Sequence, residues 1–292
     1  MAITKLDDTG LARVFFRTAW ERQSIWTRRQ TEAQGPWTAD PILGEWWFHN
    51  VFRELDTHTQ QLMTLAAEAD LPPGDIVFNV WLWRVLDHWP AWTELTGGSF
   101  VARPLDEGTA LMERLNEMRA EKRQLFTSRH LSPAITAVAR MMPYMVRLSP
   151  AVAQRVGETE DPESVFDTLS ALPGVGKFLA DQIGQDLSLL RVTRASLDRW
   201  IHVGPSAMTG LELVYGYRIM PRTAVQAVKV LRDEQSDRFK ALGLDFLEVA
   251  APGFERLTLS AVAHWLPELV KYSKMEAGTT GKIKYSAGSS VE

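Results

Sequence analysis

Residues 166–183 read FDTLSALPGVGKFLADQI. Gly174 and Gly176 bracket Val175 directly after Pro173. Apolar residues flank them at helical spacing: Phe166, Leu169 and Leu172 before, Leu179, Ala180 and Ile183 after. The pattern predicts two short helices joined by a tight hairpin. Glycines let a backbone turn sharply and lie close to a ligand. The amides of Val175, Gly176 and Lys177 are expected to point outward at the start of the second helix, as an anion site to which Lys177 adds a point charge. A plain helical corner also fits, but it does not need both glycines, the proline and the small Ala180 together.

Outward from the hairpin, helical patterns dominate. Asp161-Pro162-Glu163 is an N-cap followed by proline at the first helical position. Upstream, Asp7-Asp8-Thr9 starts a helix that Gly35-Pro36 ends, and PWTADPIL follows as a proline-punctuated loop. A second helix is expected from Gly44 or Glu45 to about Ala69, with Asn50, Arg53 and Asp56 along one side. Pro72-Pro73-Gly74-Asp75 caps a third, apolar nearly all round from Ile76 to Trp89 and therefore buried. Further helices are expected from Leu105 to Glu121, with a charged solvated face, and from Ser132 to about Met145. Two more span Thr223 to Leu242 and Thr258 to about Tyr272, the last bent at Pro267. No alternating strand pattern stands out. The expected fold is all-α, one bilobed helical domain over residues 1–272 and a flexible tail over 273–292.

Composition narrows the function classes. The 292 residues are 45% hydrophobic and 23% charged, an ordinary globular balance. A net charge of -4 at pH 7 excludes bulk electrostatic attraction to DNA, so any DNA contact is local. With no cysteine, disulfides, thiolate metal sites and cysteine nucleophiles are excluded. The six histidines (49, 58, 88, 130, 202, 264) show neither H-x-H nor H-E-x-x-H spacing, so no metal site is expected. No apolar run approaches a membrane span, and the first ten residues are too polar for a signal peptide. These features predict a soluble, intracellular protein with no membrane partner. No P-loop is present.

LPGVGKFLADQI has every consensus position of the helix-hairpin-helix motif, which grips a DNA backbone without reading sequence. Residues 21–56, ERQSIWTRRQTEAQGPWTADPILGEWWFHNVFRELD, carry a second resemblance. They are similar to the helical DNA-hypermodification proteins of bacterial viruses, the α-glutamyl/putrescinyl thymine pyrophosphorylases or amino acid:DNA transferases. The same helical module accompanies 5-hydroxymethyluracil DNA kinases. The shared pieces are E-R-x-x-I-x-x-R-R, P-W-T-x-D-P-I-L and F-x-N-V-x-R-x-x-D, here in order and in register. VGPSAMTGL (Val203 to Leu211) and Lys271-Tyr272 match further family positions. Ser206 stands where the family has a second glycine, Thr209 where a basic residue is usual, and Pro267 where a cysteine is frequent. The resemblance covers about residues 10–285.

The resemblance implies an enzyme that exchanges the pyrophosphate of pyrophosphorylated 5-hydroxymethyluracil in DNA for the amine of an amino acid or polyamine. It implies no cofactor, a possible partner DNA kinase, and action in the cytoplasm of an infected bacterial host. The chemistry needs cations for the departing pyrophosphate, and Arg28, Arg29 and Arg53 offer guanidinium forks. The amine must lose a proton, for which Asp40, Asp56 and Asp198 are candidates. Trp37 offers a face to an extruded base, and Asn50 the donor and acceptor that a uracil edge requires. Structural roles stay open beside these: Arg53 and Asp56 as an ion pair, Arg28 and Arg29 as helix-end charges, Asp40 as a cap, and Trp37 as core.

Two alternatives remain. Asp198 lies 22 residues past Gly176, the region where helix-hairpin-helix DNA glycosylases carry a catalytic aspartate, although the V-D-x-H/T-V-x-R context is absent. The fold expectation is accordingly a DNA-glycosylase-like helical one. The other alternative is a non-catalytic DNA-binding subunit of a 5-hydroxymethyluracil DNA kinase system.

Overall fold

The computed structural model describes residues 3, 5, 10–32, 34–126, 135–279, 281, 283 and 284. The described residues are helical, with no strand beyond an isolated bridge between Trp46 and Lys284. In chain order the helices are α1 (Ala12–Thr31), α2 (Pro41–Glu45), α3 (Thr57–Glu68), α4 (Pro73–Leu86), α5 (Trp89–Thr96), α6 (Thr109–Ala120) and α7 (Ile135–Gly157). They continue with α8 (Pro162–Ser170), α9 (Lys177–Leu189), α10 (Pro205–Tyr215), α11 (Ala224–Asp233), α12 (Gln235–Ala241) and α13 (Leu259–Glu276). The all-α expectation holds. The helix starts expected at Asp7–Thr9 and at Ser132 fall outside the described residues.

The chain divides into two compact units, one of residues 1–56 with 198–292 and one of residues 57–197. Each has its own hydrophobic cluster, and the two clusters share no residue. The first unit buries Phe15, Phe16, Phe48, Phe52, Tyr215 and Trp265 completely. Within it α10 packs along α13. Gly210 makes this approach possible, because a Cβ there would stand 2.5 Å from the Leu266 carbonyl oxygen.

The second unit is built around α4, whose residues from Ile76 to Leu86 are buried apart from Arg84. Arg84 is itself largely covered. It grips Asp186 of α9 with its Nε on one carboxylate oxygen and Nη2 at 2.8 Å from the other. Asp186 is fully buried, so this bidentate pair ties α9 to the central helix.

The helix expected from Gly44 or Glu45 to about Ala69 is present only in its second half, as α3. Residues 46–52 are not helical; a 3-10 turn follows at Arg53–Leu55, and only then does α3 begin. The stretch WWFHNVF is rich in aromatic residues with weak helix propensity. It is buried on nearly every side, where an amphipathic helix would bury one stripe. Its polar groups bond elsewhere: the Trp47 amide donates to the Ile283 carbonyl at 3.0 Å, and the Asn50 amide to Asp56 Oδ1 at 2.9 Å. Asn50, Arg53 and Asp56 therefore do not line one helix face. Smaller differences follow the same accounting. Thr223 to Leu242 is split between α11 and α12, and α13 runs through Pro267 to Glu276.

Candidate functional site

The first family block turns out to be a clamp on the loop that follows it. Glu21 accepts a hydrogen bond from the Thr38 hydroxyl. Arg28 Nη1 donates to the Trp37 carbonyl at 2.6 Å, and the Arg29 guanidinium sits 4.9 Å over the Trp37 ring. Arg22, buried in the core, donates to the Phe48 carbonyl at 3.2 Å. Arg28 and Arg29, the expected phosphate ligands, are thus engaged with Trp37, which is half-buried. Arg53 is 4% exposed and is no surface cation.

Asp40 is the N-cap of α2. Its Oδ1 accepts from the amides of Ile42 and Leu43, both at 2.9 Å, and its Oδ2 accepts from the Tyr272 hydroxyl at 2.8 Å. Burial and the Asp40 bond push the Tyr272 phenol up to about 12. Asn50 is fully buried, its Nδ2 donating to the Leu55 carbonyl at 2.8 Å. Asp198 meets Arg232 at 3.2 Å and Arg256 at 3.0 Å, and accepts from the Leu259 amide at 2.7 Å, so it braces the start of α13.

Asp56 is different. Its Oδ2 lies 3.2 Å from His49 Nδ1 and 3.2 Å from His264 Nε2, while its Oδ1 takes the Asn50 amide. All three side chains keep some solvent access. Burial alone would raise the Asp56 pKa, but the His49 charge and the bonds from both imidazoles hold it far below the usual carboxylate range. Burial works against a charge on His49, yet Asp56 outweighs it and the pKa rises above its ordinary value.

Helix α13 supplies the other half of this site. His264, Glu268, Lys271 and Tyr272 recur at i, i+4, i+7 and i+8 and so share one face. Lys271 Nζ bonds the Trp47 carbonyl and lies 4.2 Å from the Phe48 ring centroid and 3.7 Å from Glu268 Oε2. Glu268 is 7% exposed, and its charge is felt at His49. Sequence reasoning singled out Asp56 and Lys271-Tyr272 but missed His49, His264 and Glu268. His264 stands 208 residues from Asp56 and farther still from His49, beyond any local spacing rule; the i, i+4 pair His264 and Glu268 was the available signal.

In the second unit, α8 and α9 flank the turn at residues 171–176. Gly174 has φ +77°, the left-handed region that favours glycine. A Cβ there would also strike Met141 Sδ at 2.4 Å. Val175 is buried and its amide donates to the Leu172 carbonyl at 3.1 Å, so only the Gly176 and Lys177 amides remain for a ligand, a correction to the expected three. Gly176 is the N-cap of α9, with open space where its Cβ would be. Phe178 beside it is 61% exposed.

These two arrangements lie inside the span that comparison with known proteins assigns. Residues 9–282 match the family described as "5-hmdU DNA kinase, helical domain". The chain belongs to this family. It is 22% identical over 294 residues to a protein of Bacillus phage SP10 named "5-hmdU DNA kinase", covering 92% of this chain and 46% of that protein. The chain therefore spans about half the length of the curated relative it matches. No solved structure matches it. No helix among the described residues is long and apolar enough to cross a membrane.

Proposed function

We propose that this chain modifies 5-hydroxymethyluracil in DNA by group transfer, replacing the pyrophosphate of the activated base with an amino acid or polyamine amine. The observation that carries the reading is convergence: family blocks more than 200 residues apart, at 36–56 and 271–272, meet around Asp56 and α13. In the step, the bond from the base's methylene carbon to the pyrophosphate oxygen breaks and a carbon–nitrogen bond forms. Pyrophosphate leaves with the electron pair, and the amine gives up one proton.

The site has groups for both demands. Lys271 supplies positive charge for the leaving group. Asp56 is too weak a base to take the proton and instead orients the imidazoles. Glu268 is the carboxylate left for that role. The Gly176 and Lys177 amides would hold the DNA backbone by charge and dipole, without reading bases.

The similarity to a protein named as a kinase favours a second reading, in which this helical unit presents DNA to a separate kinase. Nucleoside mass spectrometry separates the two. Pyrophosphorylated DNA incubated with the protein and mixed amines should yield an aminated nucleoside and an equal amount of free pyrophosphate. No aminated product, together with stimulation of a kinase on 5-hydroxymethyluracil DNA, would establish the second reading instead.

A further inference from the structure

We propose that His49 Nδ1, Asp56 Oδ2 and His264 Nε2 bind a divalent transition-metal ion of the zinc class, with a coordination position left open for a phosphate oxygen. The three donor atoms lie within 4.8 Å of one another. Both imidazole nitrogens stand 3.2 Å from the same carboxylate oxygen. A charge-assisted N–H to carboxylate bond is shorter, about 2.7–2.9 Å. Donors at about 2.0–2.1 Å around a tetrahedral ion stand roughly 3.3 Å apart, so the observed separations, at the long end of the N–H···O range, also match a coordination edge. Two imidazoles and one carboxylate with an open position form a donor set of the catalytic zinc type.

Two further features point the same way. The Asn50 amide fixes Asp56 Oδ1 at 2.9 Å, the supporting bond that ligating carboxylates carry. Beside the cluster, Glu268 Oε2 is buried and makes no hydrogen bond among the described residues. A buried carboxylate oxygen in that state suits an acceptor for a ligand on the ion, either a water proton or the amine proton.

The proposed role rests on the transfer reading: the ion would join Lys271 in drawing charge from the departing pyrophosphate, the task that the sequence pattern suggested for Arg28, Arg29 and Arg53. Its existence does not rest on that reading, and binding is measured without DNA. The full chain, stripped with chelator, is titrated with Zn²⁺ by calorimetry and with Co²⁺ by visible absorption. One equivalent should bind, and the imidazole nitrogen NMR signals of two histidines should shift on adding Zn²⁺. His264→Gln and Asp56→Asn should each weaken binding by more than the roughly 10–100-fold that loss of a supporting bond costs, while Glu268→Gln should still bind. Folded wild-type protein that takes up neither ion overturns the proposal, as does tight binding that survives both ligand substitutions. Full transfer activity in chelator would overturn the ion's role in transfer and leave the transfer reading standing. Metal binding without any amine transfer would overturn the transfer reading and leave the metal site standing.

Discussion

The turn at 171–176 and the segment at 46–56 present their chemistry in opposite ways. In the turn it belongs to the backbone: two neighbouring amides at a helix start, set by Gly174 and left uncovered by Gly176. In the segment it belongs to side chains, and half of them arrive from α13. A backbone site survives most side-chain changes and fails when a Cβ is added. A side-chain site fails with one carboxylate. Each can therefore be removed while the other is kept.

The largest effect should come from the support under the turn. Asp186 is fully buried against Arg84, so Asp186→Ala removes the bidentate acceptor of a largely covered guanidinium, to which Asp87 at 3.8 Å is a looser neighbour. Chemical denaturation should show a loss of about 3–5 kcal/mol. A loss under roughly 1 kcal/mol is the size of an exposed pair and would mean that α9 does not depend on this contact.

Next is Asp56→Asn. Transfer should fall by about 10²–10⁴-fold, the range that general acid–base catalysis contributes, because the imidazoles lose the carboxylate that orients them. Gel-shift affinity for DNA should stay within twofold of wild type. Loss of DNA binding together with activity would break the division between the two regions.

That division also explains what could be read early. The turn was legible because its determinants are adjacent: Pro173, Gly174, Gly176 and Ala180 sit within eight residues and act through local geometry. The amide of Val175 escaped, because its inward bond to Leu172 depends on how tightly the turn closes. Around Asp56, residue types were legible and roles were not. A helical reading of 46–56 put Asn50, Arg53 and Asp56 on one face, and tertiary burial of Phe48, Val51 and Phe52 overrode it. His49 and His264 lie on segments far apart in sequence, held by contacts such as the α10–α13 approach at Gly210 and the Arg22 bond to the Phe48 carbonyl.

A sharper test of the turn is Gly176→Ala. Open space surrounds the added methyl, so the protein should fold, at a cost below about 1 kcal/mol for alanine at an N-cap. The methyl would occupy the approach to the two amides, and affinity for any DNA sequence should drop roughly tenfold, about 1.4 kcal/mol. Gly174→Ala is a poorer probe, since φ +77° and Met141 make it a folding mutation. Unchanged affinity for Gly176→Ala would assign the turn to structure alone.

The smallest expected effect falls on Asp198, and it decides between transfer and base excision. In a glycosylase, a carboxylate stabilises positive charge developing on the sugar, so it must be exposed to the substrate and not already neutralised. Asp198 meets two guanidiniums, Arg232 and Arg256, and one oxygen is occupied by the Leu259 amide. Asp198→Asn keeps an acceptor for that amide and loses charge beside a mostly exposed Arg256. Stability should fall by about 1 kcal/mol or less, and transfer should stay within twofold of wild type. Excision leaves an abasic site that hot alkali converts to a strand break; transfer leaves the glycosidic bond whole and releases pyrophosphate. If the wild-type protein produces alkali-labile breaks in 5-hydroxymethyluracil DNA and Asp198→Asn abolishes them, then Asp198 is a reacting group, and the chemistry lies at the head of α13 instead of at Asp56.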